Sequence, residues 1–242
     1  MPLYIERGVV LRTHPLGETD RIITLMTAGR GRLRAVAKGI RRTSSKFGSR
    51  LEPGSHVTLQ CWEGRSLDGI NQVEVIEPHR RCREDLARLT VASVMLEAVH
   101  HVALDDEANM ALYRLLARAM GALETTIAPA LLAGFLWKLQ SLEGFAPGLY
   151  DCIECGSEVD DTAWFDIPGG GVRCYACRTR GGQPVEYDAI LLIRAILGGQ
   201  LGVALNVAAG PAVSTAESLA VGHFEFHTEK RLRSMSVAGE VM

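Results

Sequence analysis

Aromatic side chains are scarce in this chain: six phenylalanines, five tyrosines and three tryptophans stand among 242 residues, and in the first 79 only Tyr4, Phe47 and Trp62 occur. A row of exposed rings gripping planar ligands by stacking is therefore disfavoured for the amino-terminal part. Long apolar runs are missing too. The most apolar helical stretch, residues 128–142, is interrupted by Lys138 and Gln140 and is too short to cross a bilayer, so no membrane association is expected. The opening Met1-Pro2-Leu3-Tyr4-Ile5-Glu6-Arg7 lacks the charged start, apolar run and cleavage site of a secretory signal. The expectation is a cytoplasmic protein, in a compartment where disulfides rarely persist.

Signatures of catalysis are absent as well. There is no Gly-x-x-x-x-Gly-Lys-Ser/Thr phosphate loop and no Gly-x-Ser-x-Gly elbow. A zinc nucleobase deaminase needs His-x-Glu ahead of Pro-Cys-x-x-Cys. Here His223-Phe224-Glu225 follows all the cysteines, and neither Cys152 nor Cys174 follows a proline. The acidic pairs Asp105, Asp106 and Asp160, Asp161 read as caps and turns rather than as a metal-nuclease centre. A binding protein is expected, not an enzyme.

Acidic residues are missing from one long segment. Between Gly29 and Leu51 there are none, while Arg30, Arg32, Arg34, Lys38, Arg41, Arg42, Lys46 and Arg50 fall within it. Residues 1–50 carry a formal +8 and the remainder −10, against a whole-chain value of −2. Such a concentration of cations reads as a footprint for a polyanion. In Arg32-Leu33-Arg34-Ala35-Val36-Ala37-Lys38 the period of two puts Arg32, Arg34 and Lys38 on one face of a strand and Leu33, Ala35 and Ala37 on the other. Residues 40–50 have no apolar period and are rich in serine and glycine, which predicts a mobile basic loop able to wrap a backbone. Phe47 is its lone aromatic, so backbone contacts are expected to dominate over base contacts.

Four cysteines form two Cys-x-x-Cys pairs, Cys152/Cys155 and Cys174/Cys177, with eighteen residues between them. Each pair can offer two thiolates from one knuckle, and four sulfur ligands fill a tetrahedral zinc ion. One structural Zn2+ per chain is expected, with no open position for an activated water. Paired disulfides and a redox Cys-x-x-Cys are the competing readings; neither suits the compartment or the flanking sequence. Cys61 and Cys82 read as ordinary thiols. His100-His101 and the pair His223 and His227 read as structural or exposed rather than as a second metal site, and Met95, Met110 and Met120 as core filler.

Five short alternating segments precede Pro78, with Leu3, Ile5, Val9 and Leu11 on one side, then Ile23 and Leu25, the basic strand, Val57, Leu59 and Cys61, and finally Val73 and Val75. Turns at Gly29-Arg30-Gly31 and Glu63-Gly64-Arg65 and a longer basic loop between the third and fourth strands point to an OB-fold barrel. Helical periodicity follows. Leu86, Leu89, Val94, Leu96, Val99 and Val102 mark one helix; Leu112, Leu115, Leu116, Ala119 and Leu123 a second, capped by an acidic residue of Asp105-Asp106-Glu107; a third runs from near Pro129 to about Gly144. These three are expected to pack as one antiparallel bundle. Residues 187–197 read as a fourth helix and 212–235 as one or two more. The expected fold is α+β: an OB-fold nucleic-acid-binding domain over 1–79, a helical domain over 80–150 and 184–242, and a four-cysteine zinc-finger insert over 151–183.

Gly17-Glu18-Thr19-Asp20-Arg21-Ile22-Ile23-Thr24-Leu25 followed by Gly31-Arg32-Leu33-Arg34-Ala35-Val36-Ala37-Lys38-Gly39 resembles the amino-terminal signature of the RecO family of bacterial recombination mediators. The resemblance extends over essentially the whole chain, most weakly after Gly198. It implies an amino-terminal OB-fold, a helical domain and, as in many members, the zinc module. It also implies binding of single- and double-stranded DNA, annealing of complementary strands, nucleoid association during repair and, with RecR, loading of RecA onto strands coated by single-stranded DNA-binding protein. A contact with the carboxy-terminal tail of that coating protein is implied as well; Arg114 and Arg118, one helical turn apart beside Leu115, are the candidates for holding its acidic, apolar end. Two other readings fit the residues alone: a zinc-ribbon scaffold that recruits proteins, and an RNA-binding OB protein without annealing activity.

Overall fold

Strand alternation builds the first part of the molecule. The computed structural model describes residues 2–159 and 161–235. They fall into two units, one from the amino terminus to Thr126 with Ser234 and its neighbour, the other Ile127–Arg233. In the first unit β1 (Leu3–Leu16), β2 (Asp20–Thr27), β3 (Gly31–Ala37), β4 (His56–Trp62) and β5 (Asp68–Glu77) close a barrel in the order β1-β2-β3-β5-β4. All pairings are antiparallel except a short parallel contact in which Ala35 faces Asp68 and Val36 faces Gly69. That order and closure are those of an OB-fold. The long β1 makes closure possible: its first half pairs with β4 and its second with β2, and a bulge near Arg12 re-aims the strand.

The barrel interior takes Val10, Ile23, Leu25, Ala35, Ala37, Val57, Leu59, Cys61 and Ile70 from the five strands, with Tyr4, Val73 and Val75 partly buried against them. In β1 the shared apolar side is not uniformly buried. Leu3 and Ile5 are 59% and 71% exposed, whereas Val9 and Leu11 are buried. These four residues share a side, but it is the outer one: Tyr4 and Val10 turn inward, and Val9 and Leu11 are covered where helices pack on β1. Alternation defines a face without saying which layer covers it.

Between β3 and β4 the chain is anchored rather than loose. Ile40, Phe47 and Leu51 are buried in the barrel core, Phe47 at 2% exposure, and residues Gly48–Leu51 form a single 3-10 turn. Three apolar side chains plug one mouth of the barrel while Arg41, Arg42, Lys46 and Arg50 remain exposed around them. Phe47, the lone aromatic of this segment, is thereby a core residue and is not offered to bases.

After α1 (Arg81–Glu84), the helices α2 (Leu86–Val102) and α3 (Met110–Thr125) complete this unit. In α2 Val94, Leu96 and Val99 are buried as expected, together with Ala92, Met95 and Ala98; Leu86 and Leu89 at its start are exposed. Asn109, not an acidic residue, caps α3, its side-chain oxygen accepting from the Leu112 N–H at 3.0 Å.

The second unit is organised around α4 (Leu131–Leu142), whose residues 131–137, 139 and 140 are all buried. A helix apolar on every side belongs in a core. It packs with α5 (Tyr187–Leu197) and α7 (Pro211–Thr228). The expected three-helix bundle is therefore corrected: α2 and α3 belong to the barrel unit and α4 to the other. Trp137 Nε1 donates to the Ala216 carbonyl at 3.0 Å, and Lys138 Nζ to the Leu197 carbonyl at the end of α5 at 3.0 Å. A small antiparallel sheet of β6 (Ala163–Asp166), β7 (Gly171–Arg173) and β8 (Gln183–Val185) carries the cysteine module, and the four-residue α6 (Leu201–Ala204) precedes α7. Asp160 and residues 236–242, the end of the expected helical domain, lie outside the described residues.

Candidate nucleic-acid interface and metal centre

The two halves of the Gly17–Gly39 signature meet at the base of the basic loop. Gly17, at φ +58°, turns the chain from β1 into β2. Asp20 at the start of β2 then accepts from the Gly39 N–H at 2.7 Å and from the Thr19 hydroxyl at 2.8 Å, while the Arg41 N–H donates to the Thr19 carbonyl at 3.0 Å. The Gly39 N–H, and after it the Thr19 hydroxyl, hold the Asp20 carboxyl below its usual range. An acidic residue in a cationic region is thus a clamp for the loop rather than a stray charge. Charge counting alone misses this role; an aspartate beside the turn between two pairing strands was the available signal.

Alternation places Arg32, Arg34 and Lys38 on the outer face of β3 and its exit, as expected. The eight cations then divide by partner. Arg30 pairs with Glu63 at 2.8 Å and its guanidinium lies 4.0 Å from the Tyr4 ring centre. Arg32 pairs with Asp105 at 2.5 Å and donates to the His100 carbonyl at 3.0 Å. The Arg32 hydrogen bond also keeps the Asp105 carboxyl below its ordinary range. Asp105, expected as a cap, is thereby a fastener between β3 and the α2–α3 link.

Gly31, at φ +61°, lets the two segments touch, because a Cβ there would lie 2.1 Å from the Glu107 carbonyl oxygen. The other six, Arg34, Lys38, Arg41, Arg42, Lys46 and Arg50, are exposed and have no carboxylate partner among the described residues. Their bonds go to backbone oxygens: Lys46 Nζ to Asn71 at 2.6 Å, Arg50 to Lys46 at 3.1 Å, Arg41 to Gly17 at 3.4 Å. Such contacts position a cation without neutralising it.

The barrel's three rings are all engaged. Tyr4 donates its hydroxyl to Asp68 beneath the Arg30 guanidinium, Phe47 is interior, and Trp62 lies flat on Gly69, where a Cβ would come within 2.0 Å of the indole, with Lys38 Nζ 5.8 Å from a ring centre. Phosphate, rather than base, is what this surface is equipped to meet.

Arg114 and Arg118 are both exposed on α3 with Leu115 half-buried between them, and no ion pair occupies either among the described residues.

In the second unit the four cysteines converge. The sulfurs of Cys152, Cys155, Cys174 and Cys177 all lie within 4.8 Å of one another, and the Cys155 and Cys174 sulfurs are 3.8 Å apart. Four sulfurs at about 2.3 Å from one tetrahedral ion would be separated by about 3.8 Å. The knuckles are shaped by the backbone: Gly156, at φ +71°, donates to the Cys152 carbonyl at 2.9 Å, and the Cys177 N–H to the Cys174 carbonyl at 3.1 Å.

Burial of Cys152 works against its thiolate, but N–H groups of Cys155, Cys174 and Glu154 prevail and bring it down to about 6. Cys174 is lowered by the Cys177 N–H, while Cys177, hydrogen-bonded to Cys155 and Cys174, is pushed up to about 12. Thiolates crowded this closely resist further ionisation unless a cation joins them, so the donor set fits a metal ion. None of the six cysteines forms a disulfide, and Cys61 and Cys82 are buried elsewhere.

The histidines are absorbed by packing. His223 Nδ1–H donates to Gln140 Oε1 at 2.6 Å and its ring is 4.1 Å from that of His227; burial, then His227, lowers it to about 4. His100 Nε2 accepts from Arg12 at 2.9 Å, and burial followed by the Arg12 charge lowers it also to about 4.

Residues 1–79 match the sequence pattern described as recombination protein O N terminal, and residues 83–236 the pattern described as recombination protein O C terminal. Proteins named DNA repair protein RecO from a Nocardioides species and from Cutibacterium acnes are each 41% identical to the chain, and one from Frankia casuarinae 40%; each match covers 97% of this chain and 98% of the relative. A closed OB barrel, helices and a four-cysteine cluster thus coincide with matches over nearly the full length, and the chain belongs to the RecO family.

Proposed function

We propose that this protein is a DNA-binding recombination mediator in DNA repair. It anneals complementary single strands and, with RecR, helps load RecA onto DNA coated by single-stranded DNA-binding protein. The observation that carries this reading is the set of six exposed cations, Arg34, Lys38, Arg41, Arg42, Lys46 and Arg50, without carboxylate partners among the described residues, on a barrel face and on a loop pinned beside it. Family membership supports it, since the relatives are named for DNA repair.

The mechanism requires no covalent step. Two strands repel each other through their phosphates; a surface that neutralises part of that charge releases counterions and raises the strands' effective concentration for one another. The buried anchors Ile40, Phe47 and Leu51 hold the loop cations near the β3 face, so little ordering remains when a strand binds. Cys152, Cys155, Cys174 and Cys177 would hold Zn2+, which would cross-link the two knuckles beside the small three-stranded sheet. Arg114 and Arg118 meet the acidic tail of the coating protein, and DNA in the nucleoid is the working location.

Mixing complementary oligonucleotides with purified full-length protein in the absence of ATP, with and without RecR, tests the reading. Faster duplex formation than in buffer is expected. A rate equal to buffer, with or without RecR, would contradict it, and equal stimulation with RNA strands would favour general polyanion binding.

A further inference from the structure

A second group of rings and cations lies on the cysteine module. Tyr175, between two of the cysteines, is 67% exposed. The Arg178 guanidinium stacks over it at 3.8 Å from the ring centre and donates to the Tyr175 carbonyl at 2.6 Å. Trp164 on β6 meets Tyr175 edge-on, with ring centres 5.4 Å apart and planes at 69°, and Arg178 lies 5.6 Å from the indole. Arg180 is exposed two residues further on.

Two features separate this cluster from ordinary packing. Its rings are fixed from independent sides, Trp164 by a sheet position opposite Arg173 and Pro184, and Tyr175 by the Cys174 and Cys177 knuckle. The arginine is held in a stacked pose by its own hydrogen bond to the backbone rather than by a carboxylate. A preorganised guanidinium over an exposed phenol offers planar surface at little further entropy cost. The barrel, by contrast, has its three rings committed to Asp68, to the core and to Gly69.

We infer that Trp164, Tyr175 and Arg178 form a stacking platform for unpaired nucleobases of single-stranded DNA, a contact additional to the phosphate grip of the barrel. The inference rests on the DNA-binding reading given above. Stacking tolerates any sequence, because every base has a π-face, and it selects against duplex, whose bases are already stacked. Phosphate attraction is not its source: residues 151–183 carry six acidic side chains against three arginines. Of those arginines Arg173 is tied to Glu154 at 2.8 Å and Asp166 at 2.7 Å. The platform's contribution is therefore expected to be nearly independent of salt.

The test uses full-length, metal-loaded protein and oligothymidylate carrying 5-iodouracil. Irradiation is expected to join the oligonucleotide to the segment holding Tyr175 or to Trp164. Tyr175→Ala should weaken single-strand affinity about five- to tenfold, by the same factor at low and high salt, with duplex affinity unchanged and Tyr175→Phe close to the unaltered protein. Cross-links confined to the barrel, or an alanine variant with full metal content and undiminished single-strand affinity, would overturn the platform while leaving the barrel's role standing. Failure of the unaltered chain to bind single strands at all would remove both. The cross-link is read on the unaltered chain, so it decides the matter even should the alanine variant lose metal.

Discussion

Burial sorts the six cysteines into two chemical kinds. Cys61 and Cys82 are 0% and 2% exposed, and burial before any other cause pushes each thiol up to about 12, with Glu124 adding to the effect at Cys82. Neither is a nucleophile at neutral pH. The cluster cysteines include an exposed member, Cys155, and one whose thiolate is favoured, Cys152. Adding a disulfide reagent together with a strong chelator to the native protein should therefore titrate four thiols with release of one zinc, and the last two only after unfolding. Simultaneous reaction of all six would contradict the burial argument.

The convergence of Cys152, Cys155, Cys174 and Cys177 was readable in advance because two Cys-x-x-Cys pairs at this spacing suit a four-sulfur site. The clamp made by Asp20, the fastener made by Asp105 and the cap made by Asn109 were not, because each depends on which segments the fold brings together.

Among the elements, the segment between β3 and β4 has most to explain. Its sequence shows no period, so a loose loop is the natural expectation, and irregular backbone hides which side chains point inward. The structure makes Phe47 its anchor. Phe47→Ala should cost about 3–5 kcal/mol of barrel stability, the usual cost of emptying such a site, measurable as a fall in the denaturant midpoint of the full-length protein. A change below about 1 kcal/mol, small for a core truncation, would mean that the ring is dispensable to the barrel.

Elsewhere the elements themselves were legible: five strands, their turns and the long helices follow from alternation and helical spacing. Their partners were less so. Periodicity gave β1 two faces but not the helices that cover one of them, and it gave three consecutive helices without the division that assigns α4 to a second core.

Across the whole molecule, charge is the organising property. A formal +8 in residues 1–50 against −10 in the rest cannot be seen in the net −2. Folding sharpens the asymmetry, since two cations of the basic segment are spent on Glu63 and Asp105 and six are left facing solvent. Those six are the ones a polyanion would meet, and their effect should depend steeply on ionic strength.

The most direct measurement of that claim is the affinity for oligothymidylate between 50 and 200 mM salt, for the unaltered protein and for a variant with Arg41→Glu, Arg42→Glu and Lys46→Glu together. With about five phosphates neutralised, at a slope near −0.7 for each, affinity should fall roughly a hundredfold over that range. In the variant both the affinity and the slope should drop, with metal content and fold preserved. Binding that ignored salt, or a variant that kept the full slope, would contradict an electrostatic grip by this barrel.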